Sequence, residues 1–164
     1  MEKFMQTQIN KIVLSKEEAL EAAIMGVKRR MTNVFRELND LSHHGSPIGG
    51  NWWSNDIEAA GAELAFAKFI GEDWVGAVNT FNAPDVGQDW QVRYTNIDYG
   101  SLILRKKDKV KLKQKFVLVT GSMPIYNIKG YIIGTDGIQE RFLKNPNNGE
   151  PAWFIPQREL LKFN

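Results

Sequence analysis

Hydrophobic residues change period along this chain. Leu20, Ala23, Ile24, Val27, Met31, Val34, Phe35 and Leu38 recur at three- and four-residue steps, which predicts a long amphipathic helix over 16 to about 40. Ser15-Lys16-Glu17-Glu18 is a capping box at its start, since Ser15 and Glu18 can satisfy orphan helix amides reciprocally. Gly26 is expected to weaken the helix locally. The turn formers Ser42-His43-His44-Gly45-Ser46-Pro47 read as a loop. A second helix, capped by Asn55 or Asp56 and stopped at Gly71, follows. It is rich in alanine and can lie close to a sheet, where Glu63 is a carboxylate on a face of Ala, Leu and Phe.

Beyond Gly71 the pattern is that of strands, over 74–78, 90–94, 101–105, 116–120 and 131–134, with an edge strand at 152–155. A short helix is predicted over 137–144. The run Phe116-Val117-Leu118-Val119-Thr120 is apolar enough for a central strand. The expected fold class is α/β, a central mixed β-sheet flanked by helices, with the long N-terminal helix packed beside the second one. At 164 residues, without a repeat or linker, the chain is read as a single domain.

Composition narrows the chemistry. There is no cysteine, which excludes disulfides, thiolate zinc and iron–sulfur sites and a cysteine nucleophile, and a reducing cytoplasm is the expected location. No run of about 18 apolar residues is present, so no membrane partner is expected. The net charge is only +2, but 105–115 (RKKDKVKLKQK) holds seven basic residues and one acid, leaving 14 basic against 18 acidic residues elsewhere. Alternation from Lys109 to Phe116 predicts a strand with Lys109, Lys111, Lys113 and Lys115 on one face. Together with Arg105, Lys106 and Lys107 this face suits either plain solvation or a nucleic-acid backbone. Lys28-Arg29-Arg30 can add a second basic patch. Trp52 and Trp53 can stack on bases, although core packing is the commoner fate. His43-His44 has no carboxylates at ligand spacing and is set aside.

One constellation carries chemistry. Glu63 lies on a helix, Pro84-Asp85 enters a strand, and Gln91 and Arg93 share a face of the next strand while Trp90 and Val92 take the other. In this order the residues resemble the PD-(D/E)XK nuclease superfamily, whose signature is a helix Glu, a Pro-Asp step and an acidic-x-Lys strand. The segments DIEAAGAELAFAKFIG, PDVGQDWQVR, LILRKKD, FVLVTG and WFIPQREL also resemble small phage proteins of that superfamily. Gln91 stands where the acid is expected and Arg93 where the lysine is.

The resemblance implies a restriction-endonuclease-like core over 51–164, preceded by the helix and loop of 1–50. It also implies a Mg²⁺- or Mn²⁺-dependent phosphodiesterase, a DNA nuclease more than an RNA nuclease, acting in the host cytoplasm if phage-encoded. Glu63, Asp85 and Gln91 would hold the metal, and Arg93 would clamp the transition state without serving as a base. The alternative is a catalytically silent scaffold that binds nucleic acid or a host protein. A homodimer is compatible with either.

Overall fold

The computed structural model describes residues 10–39, 51–78 and 83–164. The loop expected at 42–50, with His43-His44, lies outside these residues. Two long helices, one single-turn helix and two sheets are built from elements in the chain order β1 (Lys11–Val13), α1 (Lys16–Asn39), α2 (Trp52–Ile70), β2 (Trp90–Thr95), β3 (Leu102–Leu104), β4 (Lys115–Ser122), β5 (Ile125–Ile133), α3 (Gly134–Gly137), β6 (Leu143–Lys144) and β7 (Ala152–Ile155). The first sheet runs β1-β5-β4-β2. It is mixed, because β2 and β4 are parallel whereas β4–β5 and β5–β1 are antiparallel. The second sheet, β3-β7-β6, is antiparallel. The α/β expectation with a central mixed sheet is met, and a second sheet joins it.

β4 is the central strand that its apolar run predicts, with Phe116 through Thr120 all buried. Its alternate residues serve two cores. Val117 and Val119 join Val92, Tyr126 and Ile128 beneath α2, while Phe116 and Leu118 meet Leu102, Leu104, Ile155 and Phe142 of the second layer. Register carries that alternation to β2, where Gln91 pairs with Phe116 and Arg93 with Leu118. β2 is an edge strand, so both layers end at its open side.

Helix α2 is buried from Ala60 through Ala67 because α1 lies on one side of it and the sheet on the other. Its small residues permit this: Gly61 sits against the Tyr126 phenol, which donates a 2.7 Å bond to Glu58 Oε2. Glu58 therefore holds a sheet residue and also accepts the Met123 N–H at 2.9 Å. Gly71 ends the helix with φ +73°.

Helix α1 begins with the expected capping box, Ser15 N–H to Glu18 at 2.7 Å and Glu18 N–H to Ser15 Oγ at 3.1 Å. It packs on α2 as expected, but through its small and polar face. Ala22, Gly26 and Arg30 are buried, whereas Leu20, Ile24, Val27, Met31 and Phe35 are exposed. Gly26 is a contact point, since a Cβ there would fall 2.6 Å from Ile57 N and 2.7 Å from Asp56 O.

Other expectations are corrected. Residues 74–78 form no strand: Gly76 has φ +61° and Val75 is exposed. The 131–134 strand is the end of the longer β5, and 137–144 holds a 3₁₀ turn and β6 in place of a helix. Residues Lys106–Lys111 form a 3₁₀ helix, so the alternating lysine strand does not exist before Lys115. Trp52 and Trp53 sit exposed at the start of α2, Trp52 under the Arg30 guanidinium, and are not core residues.

Gly26→Ala is expected to destabilise the protein by about 1–3 kcal/mol, because the obstructing atoms are backbone and overpacking forces the helices apart. Urea denaturation of the variant beside wild type measures it.

Candidate functional site

Glu63, Asp85, Gln91 and Arg93 all line one cleft of about 850 Å³ at the open edge of β2. The two layers explain the convergence. Glu63 arrives from the helix layer, Gln91 and Arg93 project from the opposite face of β2, and Asp85 stands on the segment that runs along the strand edge. Asp85 Oδ2 accepts the Val92 N–H at 2.8 Å and so covers a backbone donor of that edge. Asp85 and Val86 are tied to Trp90 by backbone bonds, Asp85 N–H to Trp90 O at 2.8 Å among them.

Each side chain already has protein partners. Arg29 of α1 grips Glu63 bidentately, with bonds of 2.7 and 2.8 Å, and the Trp74 indole N–H donates to Glu63 Oε2 at 3.2 Å. Arg30 pairs with Asp56 at 2.6 Å. Both guanidiniums therefore turn inward, and the second basic patch expected at Lys28-Arg29-Arg30 is not formed. Gln91 donates to Ala83 O at 3.0 Å and to Gln114 Oε1 at 2.7 Å, while its own Oε1 accepts from Lys111 Nζ at 3.3 Å. Arg93 donates to Asp108 at 2.6 Å, lies 4.0 Å from Asp85 and stacks on the Phe116 ring.

The electrostatics are those of charges drawn out of water. Burial pushes the Glu63 carboxyl above the ordinary carboxylate range against the pull of Arg29, and nearby Asp85 adds repulsion. Burial also raises Asp85, with the Val92 N–H, Arg93 and Lys111 opposing it. Lys111 moves downward because burial disfavours its ammonium more than Asp85 favours it.

The basic stretch divides. Arg105, Lys107 and Lys111 line the cleft. Lys106 pairs with Glu150, Lys109 covers the Trp153 ring, Lys115 pairs with Asp89 beside Trp90, and Lys113 is exposed. The reading from sequence placed Lys111 in a charged row and missed it as the amine beside Gln91. It also missed Arg29 and Asp108. The signal was Asp108, the single acid of that stretch: its Oδ2 accepts the Arg105 N–H at 2.8 Å and its Oδ1 takes Arg93, which bends the segment back over the cleft.

A divalent ion would find two carboxylates and one amide oxygen here, all hard donors. Mg²⁺ commonly takes one or two carboxylates and completes its shell with water and substrate phosphate. The described residues contain no group of three or more His, Cys, Asp or Glu arranged for a metal. The donor set fits a weakly held ion, and the mutual repulsion of Glu63 and Asp85 favours one; Arg29 competes with it for Glu63.

A scan against protein-family models matches no family, and searches of curated proteins and of solved structures return no match. Among the described residues no helix is long and apolar enough to cross a membrane.

Arg29→Met leaves the buried Glu63 carboxyl facing only the Trp74 N–H. A loss of about 3 kcal/mol is expected, most of it recovered in the Arg29→Met/Glu63→Met double variant, because an unpaired buried charge is worse than none. Urea midpoints of the three proteins at neutral pH form the cycle.

Proposed function

We propose that the cleft binds a nucleic-acid phosphodiester, DNA more than RNA, and hydrolyses it with Mg²⁺ or Mn²⁺ held by Glu63, Asp85 and the Gln91 carbonyl. The observation that carries this reading is the convergence of four residues from three separate segments with a half-buried lysine in one cleft. When bound, the ion would supply positive charge to the phosphorane-like transition state.

The chain's own groups suit the remaining tasks. Arg105 and Lys107 offer cations to the phosphate backbone, giving salt-dependent and sequence-independent affinity. Arg93 is held by Asp108, yet two of its five N–H donors suffice for its bonds to Asp108 and Val92 O, so others can meet a phosphate oxygen. Lys111, unlike Arg93, can lose its proton. Its lowered pKa suits it to accept a proton from the attacking water while the phosphorus–oxygen bond to the leaving group breaks.

The Arg29 fork on Glu63 supports a second reading. With both carboxylate oxygens engaged and Gln91 uncharged, the same cleft suits binding of nucleic acid or a host protein without hydrolysis.

Cleavage of linear, single-stranded and branched DNA, and of RNA, with Mg²⁺ or Mn²⁺ tests both. The nuclease reading expects cutting by wild type and a loss of about 100-fold or more in Asp85→Asn and Lys111→Met. Binding with a steep salt slope and no cutting would leave the silent scaffold. For the active protein the rate should rise with pH as Lys111 deprotonates, on a limb below the usual lysine range. That limb should vanish in Lys111→Arg, whose guanidinium stays protonated.

A further inference from the structure

Helix α1 turns its apolar stripe to solvent. Leu20, Ile24, Val27, Met31 and Phe35 are between 40% and 59% exposed, although their steps of four, three, four and four residues are those of a helix–helix seam. Single exposed hydrophobes are ordinary, but five in one row about 22 Å long are a contiguous patch that marks an interaction surface. The face opposite is occupied, since Ala22, Gly26 and Arg30 are buried toward α2.

The flanking charges indicate what fits. Glu21 and Lys28 border the same side of the stripe, both are exposed, and among the described residues neither makes an ion pair. We infer that α1 pairs with α1 of a second copy of this chain, antiparallel, about a two-fold axis passing between Ile24 and Val27. Under that operation Ile24 of one copy meets Val27 of the other, and Leu20 meets Met31. Glu21 of each copy then faces Lys28 of its mate, so one unpaired acid and one unpaired base become two intermolecular pairs. In a parallel pair Lys28 lies across from Ala23 and only Glu21, across from Lys16, keeps a partner, so the antiparallel pair alone matches both charges. A two-fold contact requires a self-complementary patch, and this stripe is one.

The inference stands apart from the chemistry of the cleft, which opens on the other side of α1. Sedimentation equilibrium of the full chain across the micromolar range should give twice the monomer mass. Ile24→Glu/Val27→Glu should be monomeric with an unchanged circular dichroism spectrum, since both side chains face solvent in the monomer. Glu21→Lys or Lys28→Glu alone should weaken association by about tenfold through like-charge contacts, and combining them should restore it. The chain has no native cysteine, so orientation is readable by oxidation. Leu20→Cys mixed with Met31→Cys should cross-link, and Leu20→Cys alone should not. A monomeric wild type, a dimer indifferent to Ile24→Glu/Val27→Glu, no restoration in the charge-swapped double variant, or self-cross-linking of Leu20→Cys would each overturn it.

Discussion

At Gly26 the backbone of α1 lies against the backbone of α2 at Asp56 and Ile57, with no room for a side chain between them. The approach brings Arg29 and Arg30 within reach of Glu63 and Asp56. Two carboxylates of α2 would otherwise stand beside the sheet unneutralised. Glu63 is the more demanding, being flanked by the fully buried Ala60, Ala62 and Phe66. Without the guanidinium fork the fold would have to protonate it or admit water. The helix contact and the charge pair are thus one device: close packing makes the ion pair geometrically good, and the ion pair makes the buried carboxylate tolerable.

The open edge of β2 is the second constraint. A bare strand edge presents unpaired N–H groups that invite another chain. Here Asp85 bonds the Val92 N–H, and the segment around Val86 bridges to Trp90. The same carboxylate that closes the edge points into the cleft, where Glu63 from one layer and Gln91, Arg93 and Lys111 from the other meet it. A buried and a half-buried carboxyl with raised proton affinity beside a lysine with lowered affinity is an arrangement stability alone does not favour. All three perturbations share one cause, the withdrawal of charge from water, and their gathering in one cleft is the ground for proposing a site there.

Much of this was legible along the chain, and the misses have physical reasons. The period-two rule placed Gln91 and Arg93 on one face, and the apolar run of β4 announced a central strand. What spacing does not reveal is where an irregular segment goes. The 105–115 stretch alternates well enough for a strand from Lys109 on, but Asp108 bonds both the Arg105 N–H and the Arg93 side chain and coils it into a 3₁₀ turn. Lys111 consequently enters the site from a segment whose charge suggested a solvated face or a nucleic-acid contact on one strand. Residues 74–78 fail as a strand for a related reason: Gly76 adopts positive φ, while Trp74 turns to bond Glu63.

Helix α1 departs most from the usual pattern, in which an apolar stripe marks the buried face. Here the inward face has two requirements that hydrophobic side chains cannot meet. It must approach α2 at backbone distance, which needs Gly26, and it must deliver two guanidiniums, which needs Arg29 and Arg30. A larger apolar residue on that face would separate the helices and strand Glu63. The hydrophobic residues that helix formation and solubility would not by themselves demand are therefore left on the outward face, in register with one another. A solvent-facing helix in a monomer would bear charges there, as positions 16, 17, 21 and 28 do on its flanks. The retention of Leu20, Ile24, Val27, Met31 and Phe35 in one row is thus the feature of α1 that packing among the described residues does not explain.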